Sequence, residues 1–201
     1  MRVSRARAEE NRQTVINVAS RLFREHGFDG IGLKDLMKSA GLTQGAFYKQ
    51  FASKEDLAAQ ASERALESAL GRWTHTAESN PDDPLGAVVR FYLSAGHRDE
   101  IADGCPIVSL GTDAARQGSD VKASFEAGIN KHLDILSRWT GADGDEKARS
   151  KAMAILSTMV GAVILSRAVN DERMSKQFLQ SAVDSVLTKP SAGDAQQGSI
   201  Q

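Results

Sequence analysis

Gln44, Tyr48 and Lys49 stand within six consecutive residues of the stretch A-G-L-T-Q-G-A-F-Y-K-Q-F, residues 40–51. If that stretch is helical, Phe47 and Phe51 are four apart and share one face. The opposite face then carries Gly45, Ala46, Tyr48 and Lys49, with Gln44 at its edge. Small residues allow close approach to a partner surface. A glutamine amide can read a base edge, and a phenol and an ammonium can bind phosphate oxygens. This is what a helix needs to enter the major groove of double-stranded DNA. Base reading is expected from Thr43, Gln44, Gly45 and Ala46, and sequence-independent affinity from Tyr48, Lys49 and Lys54.

The flanking sequence supplies a frame for that helix. Leu33, Leu36, Met37 and Ala40 recur at i, i+3, i+4 and i+7, one apolar stripe. Gly41 follows, where a residue of positive φ commonly ends a helix. Leu42 plugs the turn, and Thr43 is placed as an N-cap. Two short helices around a glycine-containing turn make a helix-turn-helix over about residues 32–51. A preceding helix from about Glu9 to His26, with Val15, Ala19, Leu22 and Phe23 inward, completes a three-helix head over residues 1–52. Met1 to Ala8, with Arg2, Arg5 and Arg7, reads as a loose basic arm or a solvated terminus. Ser53 caps the next helix, with Asp56 as a capping-box partner, and that helix runs to about Glu78.

The order A-G-L-T-Q-G-A-F-Y-K-Q-F followed by S-K-E-D-L strongly resembles the TetR family of bacterial transcriptional regulators. With the preceding helix and the G-F-D-G bend, the likeness covers roughly Arg7 to Leu57. It implies a phosphate contact for Lys54, a ligand-binding and dimerisation domain after the head, a palindromic DNA operator, and release by a small-molecule inducer. Repression is that family's habit. Ile31 and Gly32 stand where the family often has Thr and Ser, so a hydroxyl contact to phosphate is missing at Ile31. Gln50 replaces the common His and removes a titratable group.

Charge is divided along the chain. Residues 1–52 hold nine Lys/Arg and five Asp/Glu, and residues 53–201 hold sixteen and twenty-one. A head at +4 on a body at −5 suits a small DNA reader on a carrier domain. One cysteine excludes an internal disulfide framework and fits a reducing, cytoplasmic setting. The N-terminus shows no signal-peptide pattern. The uncharged stretch from Ala152 to Ser166 is short of the roughly 20 residues that a membrane span needs. No membrane partner is expected.

The body, residues 53–189, reads as all-α. Asp83 and Pro84 start a helix expected to reach about His97, followed by a loop from Asp99 to Pro106. Helices are expected from about Ile107 to Arg116, Ser119 to Trp139, Asp145 to Val169 and Asp171 to Lys189, with a turn over 140–144. The Asp145–Val169 helix is apolar on nearly every side in its middle, so it must be covered all round. A second copy, packed through the last two helices, is the natural cover; a fully intramolecular core is the alternative. Residues 190–201, Gly-, Ser-, Gln- and Ala-rich, are expected to be a disordered tail.

Little else has the makings of chemistry. There is no phosphate-cradling glycine loop, no G-x-S-x-G and no H-E-x-x-H, and His26, His75, His97 and His132 lack ligand-like spacing. Neither a metal, a cofactor nor an enzymatic activity is expected. Cys105, between Gly104 and Pro106, is either a reactive thiol near free helix amides or a small buried hydrophobe. The G-C-P-I stretch resembles a TetR subgroup that includes electrophile- and drug-responsive repressors. Trp73, Phe91, Tyr92 and Phe125 either line a ligand cavity with Cys105, as the family would suggest, or form plain core. Two rival readings remain: a ligand-binding helical protein whose head no longer binds DNA, and a thiol enzyme using Cys105 and His97.

Overall fold

The computed structural model describes residues 5–141 and 146–188. Among them every regular element is an α-helix. The first, α1 (Arg5–His26), begins about a turn before the expected start, because Arg and Ala favour helix wherever they face. The expected N-terminal arm is therefore helical from Arg5; Met1 to Ser4 lie outside the described residues. Gly27, at φ 77°, turns the chain out of α1. The turn between α2 (Leu33–Ser39) and α3 (Gln44–Phe47) pivots on Gly41 at φ 72°. There Leu42 N–H donates to the Met37 carbonyl at 2.9 Å, closing the helix end as a Schellman motif does.

The long shaft α4 (Lys54–Glu78) starts on a paired cap. Ser53 Oγ accepts from Asp56 N–H at 3.0 Å, and the Asp56 carboxylate accepts from Ala52 N–H at 2.9 Å. The next helix, α5 (Pro84–Tyr92), starts as expected, with Asp83 accepting from Gly86 N–H. It does not reach His97. It ends at Leu93, and Ser94 Oγ takes the His97 N–H at 3.1 Å to open a separate turn, α6 (Ala95–Asp99). A serine hydroxyl that competes for a backbone amide breaks the longer helix. The remainder follows the expected order: α7 (Pro106–Ala114), α8 (Ser119–Thr140), α9 (Glu146–Ala168) and α10 (Glu172–Leu187). The tail expected over 190–201 and most of the turn over 140–144 fall outside the described residues.

Apolar side chains gather in two clusters. One joins Val15, Phe23, Leu36, Phe47 and Phe51 of the head to Leu57, Leu66, Leu110, Val121 and Phe125. Its packing thus runs across residues 52–53. The other surrounds Trp73, Tyr92, Cys105, Leu136, Met159 and Leu179. The shaft contributes to both. On α9, Ala152, Ile155, Met159 and Val163 are buried, while Met153, Ile164 and Leu165, like Met174 on α10, stand exposed. By length and composition alone α9 could cross a membrane; here it packs one side against α8 and α10.

Candidate nucleic-acid interface

Phe47 and Phe51 are buried and stacked, ring centroids 5.3 Å apart, and they anchor α3 to the head. That anchoring turns the other face outward. Tyr48 is 68% exposed, its ring edge-on to Phe47, and Thr43, Gln44, Gly45 and Lys49 are exposed around it. Ala46 is half-buried. Thr43 sits at the N-cap position but makes no capping hydrogen bond with its side chain. A Cβ on Gly45 would meet nothing within 4 Å, so the fold itself does not call for glycine there. Arg12 of α1 steadies the end of this segment. It donates to the Gln50 carbonyl, donates to Gln60 Oε1 at 2.6 Å, and lies 4.8 Å over the Phe51 ring.

Lys54 is placed differently from the other cations. Its Nζ donates to the Ile31 carbonyl at 2.8 Å, tying the start of α4 to the chain two residues before α2. The carbonyl offsets the unfavourable position of a cation at a helix N-terminus. Two lysines not singled out from the sequence, Lys34 and Lys38, are exposed on α2. Their i, i+4 spacing, which puts both on one face, was the available signal.

The interior residues named from the sequence divide between the two clusters. Trp73, Tyr92 and Cys105 pack together with Phe91 against them, whereas Phe125 belongs to the head-side cluster. The Trp73 ring meets Tyr92 and His132 edge-on, at 5.7 and 4.8 Å. The buried Tyr92 hydroxyl finds no hydrogen-bond partner, and burial, with the neighbouring Cys105 adding, pushes its pKa well above the ordinary value. His132 gives Nδ1 to the Gly128 carbonyl at 2.8 Å and leaves a buried Nε2 without a partner.

His97 has a structural position that the sequence reading missed. Its Nε2 accepts the Cys105 backbone N–H at 3.2 Å, so Nδ1 carries the proton and donates to the Tyr92 carbonyl at 2.7 Å. Burial, helped by the Arg72 and Arg167 charges, lowers its pKa to about 4, so the ring is neutral. With Nε2 held by an amide, His97 offers no base to the Cys105 thiol, and the thiol-enzyme reading loses its partner group. Among the described residues no cluster of metal-ligating side chains is found. A groove of about 580 Å³ lies between α7 and α8, with Ile107, Ala114, Phe125 and Ile129 on its walls. A cleft of about 530 Å³ beside Trp139, Ile155 and Val186 lies at the end of α10. Neither is lined by Tyr92 or Cys105.

Residues 15–61 match the model of the bacterial regulatory proteins, tetR family. That match spans the helix-turn-helix and the start of α4. The chain is 26% identical over 132 residues to the HTH-type transcriptional repressor NemR of Escherichia coli; the match covers 64% of this chain and 66% of NemR. It is 35% identical over 88 residues to the HTH-type transcriptional regulator AcrR of Shigella flexneri, covering 43% of this chain and 40% of AcrR. The chain thus spans just under two thirds of the first relative and less than half of the second. The crystal structure of E. coli NemR in its reduced form superposes with a TM-score of 0.73 at 20% identity, over 89% of this chain and 95% of that one. The tetR-like all-α fold, with a helix-turn-helix head and a helical body, therefore extends over both units.

Proposed function

We propose that the protein is a dimeric, ligand-responsive transcriptional repressor of the tetR type. Each head would place the residues around Tyr48 in the major groove of one half of a palindromic operator. Two-fold symmetry would set the two α3 segments about 34–36 Å apart. The observation that carries this is the outward face of α3: an exposed tyrosine and lysine beside a glycine that the fold does not need. In this reading Thr43, Gln44, Gly45 and Ala46 approach the bases. Tyr48 and Lys49, with Lys34 and Lys38, bind phosphate. Lys54 acts by holding the turn before α2. The second copy covers Met153, Ile164, Leu165 and Met174 on α9 and α10, and the operator is released when a small molecule, or modification of Cys105, favours a body conformation with the wrong head spacing. The relatives' names, a repressor and a regulator, favour it.

Titration of a fluorescent duplex from upstream of the protein's own gene, across a salt series, tests it. Lys49→Ala is expected to weaken binding to every sequence and to flatten the salt slope by roughly one unit. An unchanged slope removes Lys49 from the interface. One observation favours a second reading, a ligand-binding protein without DNA binding: Lys54 points to Ile31 and not outward. Absence of any duplex binding at low salt would select it.

A further inference from the structure

The last turn of α1 rests on the loop that leads into Cys105. Arg24 is the residue that makes the contact, and its side chain is 3% exposed. Its Nε donates to the Ser20 carbonyl at 2.8 Å, and its Nη1 donates to the Gly104 carbonyl at 2.9 Å. Nη2 lies 3.9 Å from the Asp103 carboxylate, which Arg21 also engages from the surface. Burial pulls the Arg24 pKa down to about 10, against the pull of Asp103. A guanidinium is seldom buried unless it is paired, and Arg24 is paired with Asp103 and with the Gly104 carbonyl of one and the same loop.

The same loop is fastened on its other sides. Arg167 of α9 donates to the Arg98 carbonyl at 2.7 Å and to the His97 carbonyl at 3.3 Å. Arg98 in turn bonds Ser175 Oγ at 2.7 Å and Glu172 at 3.1 Å, both on α10. Gly104 cannot carry a side chain: a Cβ would lie 2.1 Å from the Glu100 carbonyl oxygen. Residues 97–105 are thus tied at once to the head helix α1, to α9 and to α10, and they end on Cys105, with His97 bonded to the Tyr92 carbonyl.

We infer that Arg24 is a positioning residue, which fixes the angle of the head against the body through the Gly104 carbonyl. A displacement of α9, α10 or the Tyr92–Cys105 core then reaches the head by way of this peptide. The inference rests on the operator-binding reading for its biological meaning, but the head angle can be measured without DNA.

Spin labels on Ser39→Cys in the head and Glu126→Cys on α8 report the intrachain distance in the full-length protein; both sites are exposed and Cys105 is buried. The labelled protein is diluted with unlabelled protein. The wild-type background is expected to give one narrow distance. Arg24→Met should broaden it or shift it by several ångströms, and Arg24→Lys, which keeps a donor, should restore it. Arg24→Leu, which also lacks a donor, replaces the methionine variant if that does not fold. An Arg24→Met distribution identical to wild type, with only the melting temperature lowered, overturns the inference and leaves Arg24 as packing. In the DNA arm Arg24→Met should lower operator affinity at least tenfold with the salt slope unchanged, since Arg24 meets no phosphate. If the unmutated protein binds no duplex while the label distance still responds to Arg24, the operator reading fails and the positioning role stands.

Discussion

The chain has two tyrosines, and they sit in opposite surroundings. Tyr48 is largely exposed on α3, one side of its ring against Phe47. Tyr92 is 1% exposed, wedged beside Trp73 and His97, with a hydroxyl that no nitrogen or oxygen reaches and that lies beside the Cys105 thiol. Both carry an unused hydrogen-bonding group, but for different reasons. An unused phenol in water costs nothing and is available to a partner. An unused phenol in an apolar core costs about 1–3 kcal/mol, which folding must offset elsewhere. The head face thus leaves a polar group open to water, and the interior holds polar groups at a thermodynamic disadvantage.

The contrast is sharpest in mutants. Trp73→Ala should cost about 3–5 kcal/mol of stability, since it empties the centre around which Tyr92 and His132 pack. Tyr48→Ala should leave the unfolding free energy within about 0.5 kcal/mol of wild type and lower duplex affinity roughly tenfold. Denaturant titration of both variants measures the difference, and equal losses of stability would dissolve the comparison.

Between pH 6.5 and 4, acid probes the interior through His97. The folded His97 pKa is near 4 and the ordinary value is 6.5, so between those values the unfolded chain binds the extra proton. Stability from this group is complete above pH 6.5 and is lost as pH falls toward 4, about 3 kcal/mol in all. The His97→Gln protein should lack that portion of the decline. Parallel stability curves for the two proteins from pH 7 to 4 would show that the ring is not held neutral.

The smallest effect concerns one atom. Tyr92→Phe removes the unpartnered hydroxyl and should raise stability by about 1 kcal/mol. A loss of similar size, read as a lower midpoint in urea, would mean that the hydroxyl has a partner in solution.

The head was readable in the sequence because its rules are local. A stripe at Leu33, Leu36, Met37 and Ala40, a glycine with positive φ and the Phe47–Phe51 pair each depend on neighbours within a few residues. The body was readable as a succession of helices for the same reason. What was hidden depends on distant contacts. Ser94 looked like a tolerable residue inside a longer helix, and only its bond to His97 N–H shows a break. Phe125 shares its residue type with the Trp73–Tyr92 group and yet packs on the head side. Arg24 on an amphipathic helix reads as solvent-facing charge, and nothing local indicates that Gly104, eighty positions on, covers it. Lys54 looked free for phosphate until the chain brought Ile31 beside it.

The shaft α4 has 25 residues and serves both apolar clusters. At about 1.5 Å per residue it is about 37 Å long. Its side is pressed against α8 where a Cβ on Gly128 would lie 2.6 Å from a Leu66 methyl group, so there is almost no slack at that crossing. A rigid rod rocked by about four degrees at that mid-length bearing, about 18 Å from either end, sweeps each tip through about 1.3 Å. Leverage of this kind carries a rearrangement near Trp73 to the head end of the rod, nearly doubled and reversed in direction.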